Sequence, residues 1–175
     1  MIFRIPNSGW MIRETGNNQW GYLNNHYQIT VGDPNLRVIS VYLVNASGGT
    51  IRTSGIINQD QPQTSYGVVC RYKDIDNYFF FEISSDGTYQ IGRRLNGEYR
   101  LLNGMQGVIN SAINPTGYNE IFVTFFWEEM SLYVNDVLIE TVYDNSLLEG
   151  YVGLSTTTGE YGGFEVSFEE FNLIP

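Results

Sequence analysis

The side chains best suited to chemistry in this sequence gather in one stretch, YGVVCRYKDIDNYFFFEISSDGTYQIGRRLNGEYRLL, residues 66–102. Arg71, Tyr78, Phe80, Glu82 and Gln90 fall at alternating positions of neighbouring strands and are expected to share one sheet face. Rings stack on flat apolar ligand surfaces, and an arginine beside a carboxylate orients polar groups, so the mixture suits a sugar or a peptide. The alternative is that these rings support one another across strands or lie beneath a long loop. Trp10, Trp20 and Tyr22 are three more aromatics in polar, loop-rich surroundings. They are either a sugar-stacking platform or packing across the end of a sandwich, and packing is the commoner fate of such rings. Asp74-Ile75-Asp76-Asn77 sets two carboxylates and an amide in a tight turn, the oxygen ligands a hard cation takes. Calcium at Asp74, Asp76 and Asn77 is the cofactor to expect if there is one, although the full ligand series of a helix–loop–helix calcium site is missing. A turn closed by Asx hydrogen bonds is the simpler explanation.

Other chemistries find little material. Cys70 is the only cysteine, which excludes an internal disulfide and a thiolate metal cluster. It alternates inward with Val68 and reads as a buried structural thiol. His26 is the only histidine and lies in the polar run NNHYQ, so zinc ligation is not expected and a surface position is. The net charge of −10 argues against nucleic acid and anionic membrane surfaces. No apolar run approaches the ~20 residues of a membrane helix. Residues 1–5 are too short for a signal peptide, and no small-residue cleavage site follows. The chain is therefore expected either to stay inside the cell or to be a module of a longer exported protein.

The elements that must position these groups are strands. Sustained spacing at i, i+3, i+4 and i+7 is absent, whereas alternation and turn dipeptides recur throughout. Tyr72 opposite Asn77, with residues 73–76 as the turn, puts Val68 and Cys70 on one face with Phe79 and Phe81, and Val69 and Arg71 on the other with Tyr78, Phe80 and Glu82. Ser85-Asp86-Gly87 forms a three-residue loop with Gly87 left-handed, pairing Ile83 with Tyr89 and Phe81 with Ile91. Asn96-Gly97 is the strongest two-residue hairpin signal, and Asn135-Asp136 makes another hairpin. Residues 36–45 form a strand with Val38, Ser40, Tyr42 and Val44 on one side and an aliphatic row, Ile39, Val41 and Leu43, on the other. Residues 51–63, rich in Asn, Gln and Thr, read as a long surface connection. Residues 120–127 alternate Ile121, Val123, Phe125 and Trp127 against Phe122, Thr124 and Phe126, with a tight turn at 128–130. About twelve strands follow, enough for one antiparallel β-sandwich domain over residues 1–175 with two sheets of about six strands.

Four segments carry a family resemblance: Asn7-Ser8-Gly9-Trp10, the stretch at 66–102, SLYVNDVLIETV, and EGYVGLSTTTGEYGGFEVSFEEFNL. The chain resembles the jelly-roll domains of the concanavalin A-like lectin/glucanase superfamily, and most of all bacterial laminin G-like modules of larger surface and secreted proteins. It departs from the pattern at Asn135-Asp136, where Asn-Gly is usual, and at Phe168-Glu169-Glu170, where Phe-Asp-Asn is common. The resemblance implies glycan binding on the concave sheet or at loop tips, or a protein-binding or spacer role. It also implies a test for catalysis, because the glucanases carry two glutamates flanking an aspartate on one strand. Glu165-Val166-Ser167-Phe168-Glu169 keeps the outer pair but has Ser167 at the centre. Without the middle carboxylate that tunes its neighbours, a solvated acidic face accounts for these glutamates more simply.

The expected function is a non-catalytic carbohydrate-binding or adhesion module, lectin-like and extracellular. A glycan or polysaccharide is the expected partner, bound by Arg71, Tyr78, Phe80, Glu82 and Gln90 with Trp10, Trp20 and Tyr22. A spacer or protein-interaction domain is the first alternative, and a glycoside hydrolase the second.

Overall fold

The structure, a computed structural model, describes residues 9–10, 14–23, 26–58 and 63–175. Residues 1–5, the marks Asn7 and Ser8, and the pair Asn24-Asn25 lie outside the described residues. Everything regular among the described residues is strand. In chain order these are β1 (Glu14–Thr15), β2 (Asn18–Leu23), β3 (His26–Val31), β4 (Arg37–Ala46), β5 (Gly49–Ile57), β6 (Ser65–Asp74), β7 (Asn77–Ser84) and β8 (Thr88–Leu95). They continue with β9 (Glu98–Leu101), β10 (Val108–Ile109), β11 (Asn119–Phe126), β12 (Glu129–Val134), β13 (Val137–Tyr143), β14 (Gly150–Thr157) and β15 (Phe164–Ile174).

They build two antiparallel sheets. One has eight strands in the order β1-β2-β3-β15-β5-β11-β12-β13; the other has seven, in the order β10-β8-β7-β6-β14-β4 with β9 also on β8. The strands exceed the expected number partly because β1 and β10 are two-residue pieces that alternation over a longer window does not reveal. Between the sheets lies one large apolar cluster. Val68, Cys70, Phe79, Phe81 and Ile91 of the seven-stranded sheet meet Ile51, Val123, Phe125 and Phe168 of the other. Period-two alternation is the cause, because each strand sends every second side chain inward.

The central hairpins follow the expected register. Phe81 pairs with Val68 and with Ile91, and Ile83 pairs with Tyr89. Gly87 takes φ 82° after Ser85 and Asp86, and Asn96-Gly97 turns with φ 51° and 83°. Asn135 and Asp136 both have positive φ, 50° and 65°, so this pair makes the primed turn without a glycine.

Three expectations need correction. Residues 51–63 are not a surface connection in their first half: β5 runs through Ile57 as an interior strand between β15 and β11, with Ile51, Thr53 and Ser54 buried. Its polar composition hid it, because small hydroxyl side chains can fill a sheet interior when they find acceptors, as Thr53 does at the Glu170 carbonyl, 2.6 Å away. The β11–β12 turn comes earlier than expected, at Trp127-Glu128, so Trp127 leaves the inward row of Ile121, Val123 and Phe125. Asp74, not Tyr72, pairs with Asn77, and the register of β6 slips between Cys70 and Asp74.

That slip relocates Arg71. The residue adopts φ 50°, which breaks the alternation and turns its side chain toward the interior. There it is fully buried, with its guanidinium 6.0 Å from the Phe79 ring and 5.8 Å from the Phe125 ring. It does not belong to the face of Tyr78, Phe80 and Glu82. It donates instead to the carbonyls of Leu147 (2.9 Å), Ser47 (3.2 Å) and Trp127, tying three loops at one end of the sandwich. Burial pulls its pKa below the ordinary arginine value, with Cys70 and Asp144 opposing.

Phe81→Ala should therefore destabilise the domain by about 3–5 kcal/mol in urea unfolding, the cost of a large core deletion. Arg71→Ala should cost about 3 kcal/mol, since it strands buried carbonyls that now have charged donors. An unchanged unfolding midpoint in Arg71→Ala would return this residue to the surface.

Candidate functional site

The outer face of the seven-stranded sheet holds the site. Its floor is a row across four strands: Gln90 on β8, Glu82 on β7, Gly67 on β6 and Ser155 on β14, each paired with the next. Gly67 is required here. A Cβ at this position would lie 1.9 Å from the Phe81 carbonyl oxygen, so no side chain can stand between Glu82 and Ser155. Ser155 Oγ reaches Glu82 at 2.8 Å, and Gln90 Nε2 donates from the opposite side at 2.9 Å.

From β4, Arg37 extends over Thr157 and closes this row. Its Nε and Nη2 donate to the two carboxylate oxygens of Glu82 at 3.0 and 3.1 Å, a bidentate pair. Thr157 Oγ1 bridges the two, accepting from Arg37 Nε at 2.9 Å and donating to Glu82 at 3.0 Å. Glu82 is fully buried, and the Arg37 side chain is 10% exposed. Burial works to raise the Glu82 pKa, but the Arg37 charge and the donors from Arg37, Ser155 and Gln90 outweigh it and hold the carboxyl below its ordinary value. Burial likewise works to lower the Arg37 pKa, and Glu82 reverses it upward.

Rings frame the pair. The Arg37 guanidinium lies 3.9 Å over the Phe80 ring and 5.5 Å from that of Tyr99. Gly92 on β8 makes room, because a Cβ there would come within 2.4 Å of Phe80 Cζ. Tyr78 is buried beneath, stacked on Tyr72 at 5.9 Å, with its hydroxyl 3.0 Å from that of Tyr99. Burial pushes the Tyr78 hydroxyl up to about 12. Tyr99 is 55% exposed and forms the lip.

Above this floor opens a cleft of about 500 Å³ lined by Asn35, Arg37, Phe80, Gln90, Tyr99 and Thr157, among others. It meets a second hollow of about 340 Å³ at Gln90, Gln106 and Thr157. Among the described residues lining the larger cleft there is no carboxylate. Amides, hydroxyls, ring edges and the exposed Arg100 over a neutralised ion pair can bind a polar ligand by hydrogen bonds and stacking.

The structure thus brings Tyr78, Phe80, Glu82 and Gln90 together, as the alternation predicts, and removes Arg71. Arg37 fills the arginine role. Its signal was the alternation of Arg37 with Ile39 at the start of β4, and the lone glycines Gly67 and Gly92 inside strands marked the close approach. Trp10 is no platform: it is buried against Tyr27, Tyr42 and Phe171, with ring centroids 4.7, 5.2 and 5.0 Å away. Trp20 and Tyr22 pack against the core from the other sheet and line a separate hollow of about 300 Å³ beside Glu165.

The acidic turn serves itself. Asp74 Oδ1 accepts from the Asp76 amide (2.9 Å) and from Asn77 Nδ2 (2.8 Å), Asp76 pairs with Arg94 at 2.9 Å, and Asn77 Oδ1 accepts from the Asn96 amide at 3.0 Å. Glu165 and Ser167 share Asn58 Nδ2 at 2.6 and 2.8 Å. Glu169 is the extra residue of a bulge between Phe168 and Glu170, so the even spacing of the glutamates is broken in space.

No family model matches the sequence, and no curated protein matches it. Solved structures do match in fold. The carbohydrate-binding module CBM66 from Bacillus subtilis superposes with a TM-score of 0.74 at 14% identity, over 96% of each chain. A Bacillus licheniformis β-glucanase gives 0.68 at 12% identity, over 99% of this chain and 97% of that one. A xylan β-1,4-xylosidase from Bacillus halodurans gives 0.66 at 14% identity; the match takes in 86% of this chain but only 33% of the enzyme. The fold is a jelly-roll β-sandwich.

Glu82→Gln should cost about 3–5 kcal/mol at neutral pH by leaving Arg37 buried without its counter-charge. Because the folded pKa of Glu82 is depressed, its stabilisation is complete above the unfolded value of about 4.3 and fades as pH falls through the lower folded value. Urea unfolding of wild type and Glu82→Gln should therefore converge in acid. A gap that stays constant down to about pH 3 would show that the charge on Glu82 does not matter.

Proposed function

We propose that this domain is a non-catalytic carbohydrate-binding module that takes an uncharged stretch of polysaccharide in the cleft over Arg37 and Glu82. The observation that carries the reading is the cleft itself: amides, hydroxyls, the Tyr99 ring and the exposed Arg100 stand over an ion pair already neutralised from within. Sugar hydroxyls match such neutral donors and acceptors, and sugar ring faces match Tyr99. The fold-level likeness to a carbohydrate-binding module supports the reading, although at 14% identity it speaks for the fold alone. The net charge of −10 disfavours polyanionic glycans.

The state of Glu82 supports the non-catalytic part of the reading. A carboxylate saturated by Arg37, Ser155, Gln90 and Thr157 cannot donate a proton or approach an anomeric carbon, and two-carboxylate chemistry needs a partner about 5–10 Å away. Role and place belong to the same proposal: an adhesion-type module, laminin G-like in the finer classification, carried outside the cell by a longer bacterial chain. Calcium remains assigned to the Asp74–Asn77 turn only as a rim cation, in competition with the donors that turn already holds. The spacer reading draws on the burial of Tyr78 and Phe80, which support one another.

Calorimetric titration with a panel of neutral polysaccharides, with calcium and with chelator, tests the proposal while reducing ends are assayed in parallel. Saturable binding without new reducing ends is expected. Tyr99→Ala should weaken it about tenfold, the worth of one stacking ring, with little change in thermal stability because Tyr99 stands at the exposed lip. New reducing ends would make the domain an enzyme, and silence across the panel would leave the spacer reading.

A further inference from the structure

At the end of the sandwich tied by Arg71, the two-residue β11–β12 turn presents Trp127, 82% exposed and with φ 54°. A bulky side chain in the left-handed region is conformationally costly, and this one gains no burial in return. Its neighbours on the outer face of the eight-stranded sheet are also uncovered: Phe126 pairs with Glu129, and Glu129 with Tyr143, giving a row in which both rings face solvent. The turn is firmly held from below. Arg71 Nη2 donates to the Trp127 carbonyl, and the Asp144 amide donates to that of Glu128 at 2.8 Å. A buried arginine without a carboxylate partner thus rigidifies the backbone that displays the indole.

We propose that the Trp127 tip is a docking surface for a basic, apolar segment of a partner protein. Charge complementarity identifies the occupant. Glu128 and Glu129 are exposed on the same turn and together raise the pKa of the neighbouring Tyr143 hydroxyl, so the aromatic row carries an acidic rim. Local cations are engaged elsewhere: Arg71 is buried on three carbonyls, and Arg93 is paired with Asp144 at 2.6 Å. Arginine or lysine in the partner would lie over the indole and pair with the rim, while its apolar side chains cover Phe126 and Tyr143. A second copy fits poorly, because symmetry would set Glu128 and Glu129 against their own images in a chain of net charge −10. The surface is independent of the glycan cleft, which lies on the other sheet.

The test uses a labelled synthetic peptide alternating arginine and leucine, with an aspartate–leucine peptide as control, read by fluorescence anisotropy against the whole domain. The basic peptide should bind, with affinity falling as salt rises. Trp127→Ala, which leaves every charge in place, should weaken it at least tenfold, and Glu128→Gln with Glu129→Gln should weaken it several-fold and flatten the salt dependence. Trp127→Gly controls for folding, since glycine accepts this φ freely and should be at least as stable as the parent. Equal affinity in Trp127→Ala, comparable binding of the aspartate peptide, or no binding at all overturns the proposal. So does loss of polysaccharide binding in Trp127→Ala, which makes the tip a glycan site, or loss of concentration-dependent self-association, which makes it a contact between copies.

Discussion

A carboxylate withdrawn wholly from water must be matched by charge and by hydrogen bonds, or it will not stay ionised. Glu82 meets that condition, and much of one sheet is arranged to let it. β4 supplies the bidentate guanidinium of Arg37, β14 the hydroxyls of Ser155 and Thr157, and β8 the amide of Gln90. Gly67 clears the path between them. The pair fixes the relative register of strands distant in sequence, because a one-residue slip of any of them would leave a buried charge short of partners. The cleft inherits its character from the same constraint: the charges of Arg37 and Glu82 are spent on each other inside the floor, and Arg100 is the charged side chain left on its lining.

The domain buries two arginines by different means. Arg37 is balanced by a carboxylate and flanked by rings. Arg71 is balanced by backbone carbonyls at loop ends, with no carboxylate in direct ion-pair contact and the Asp144 charge farther off. The first kind of arrangement tolerates neither partner alone and forms the floor of the cleft. The second holds irregular backbone in place, satisfying carbonyls that no sheet ladder reaches. This division explains why two guanidiniums withdrawn from water stand behind two different surfaces, a polar cleft on one sheet and an aromatic tip at the sandwich end.

Much of this was legible in the chain. Alternation across residues 66–95 decided which side chains share a face, and Gly87, Asn96-Gly97 and Asn135-Asp136 placed their turns, because turn chemistry and pleat are local properties. Three of the site residues on β7, Tyr78, Phe80 and Glu82, and Gln90 on β8, came from that periodicity alone. Where it broke, inference broke with it. Alternation misplaces Arg71 because a bulge is one residue's departure from φ < 0, which composition does not announce. β5 was missed because its threonines and serines look solvent-exposed until their acceptors are known.

The sequence by itself determined the fold class, the antiparallel hairpins and the apolar rows that meet in the core, since each rests on period-two patterning and short-range turn preferences. Only the tertiary structure decided that Arg37, not Arg71, partners Glu82, that Trp10 is core and that Trp127 is display. Those outcomes depend on which strands lie side by side. Arg37 and Glu82 are 45 residues apart along the chain and Ser155 is 73 from Glu82, and the pairing of such remote segments is set by the summed burial of the whole sandwich, not by any local signal.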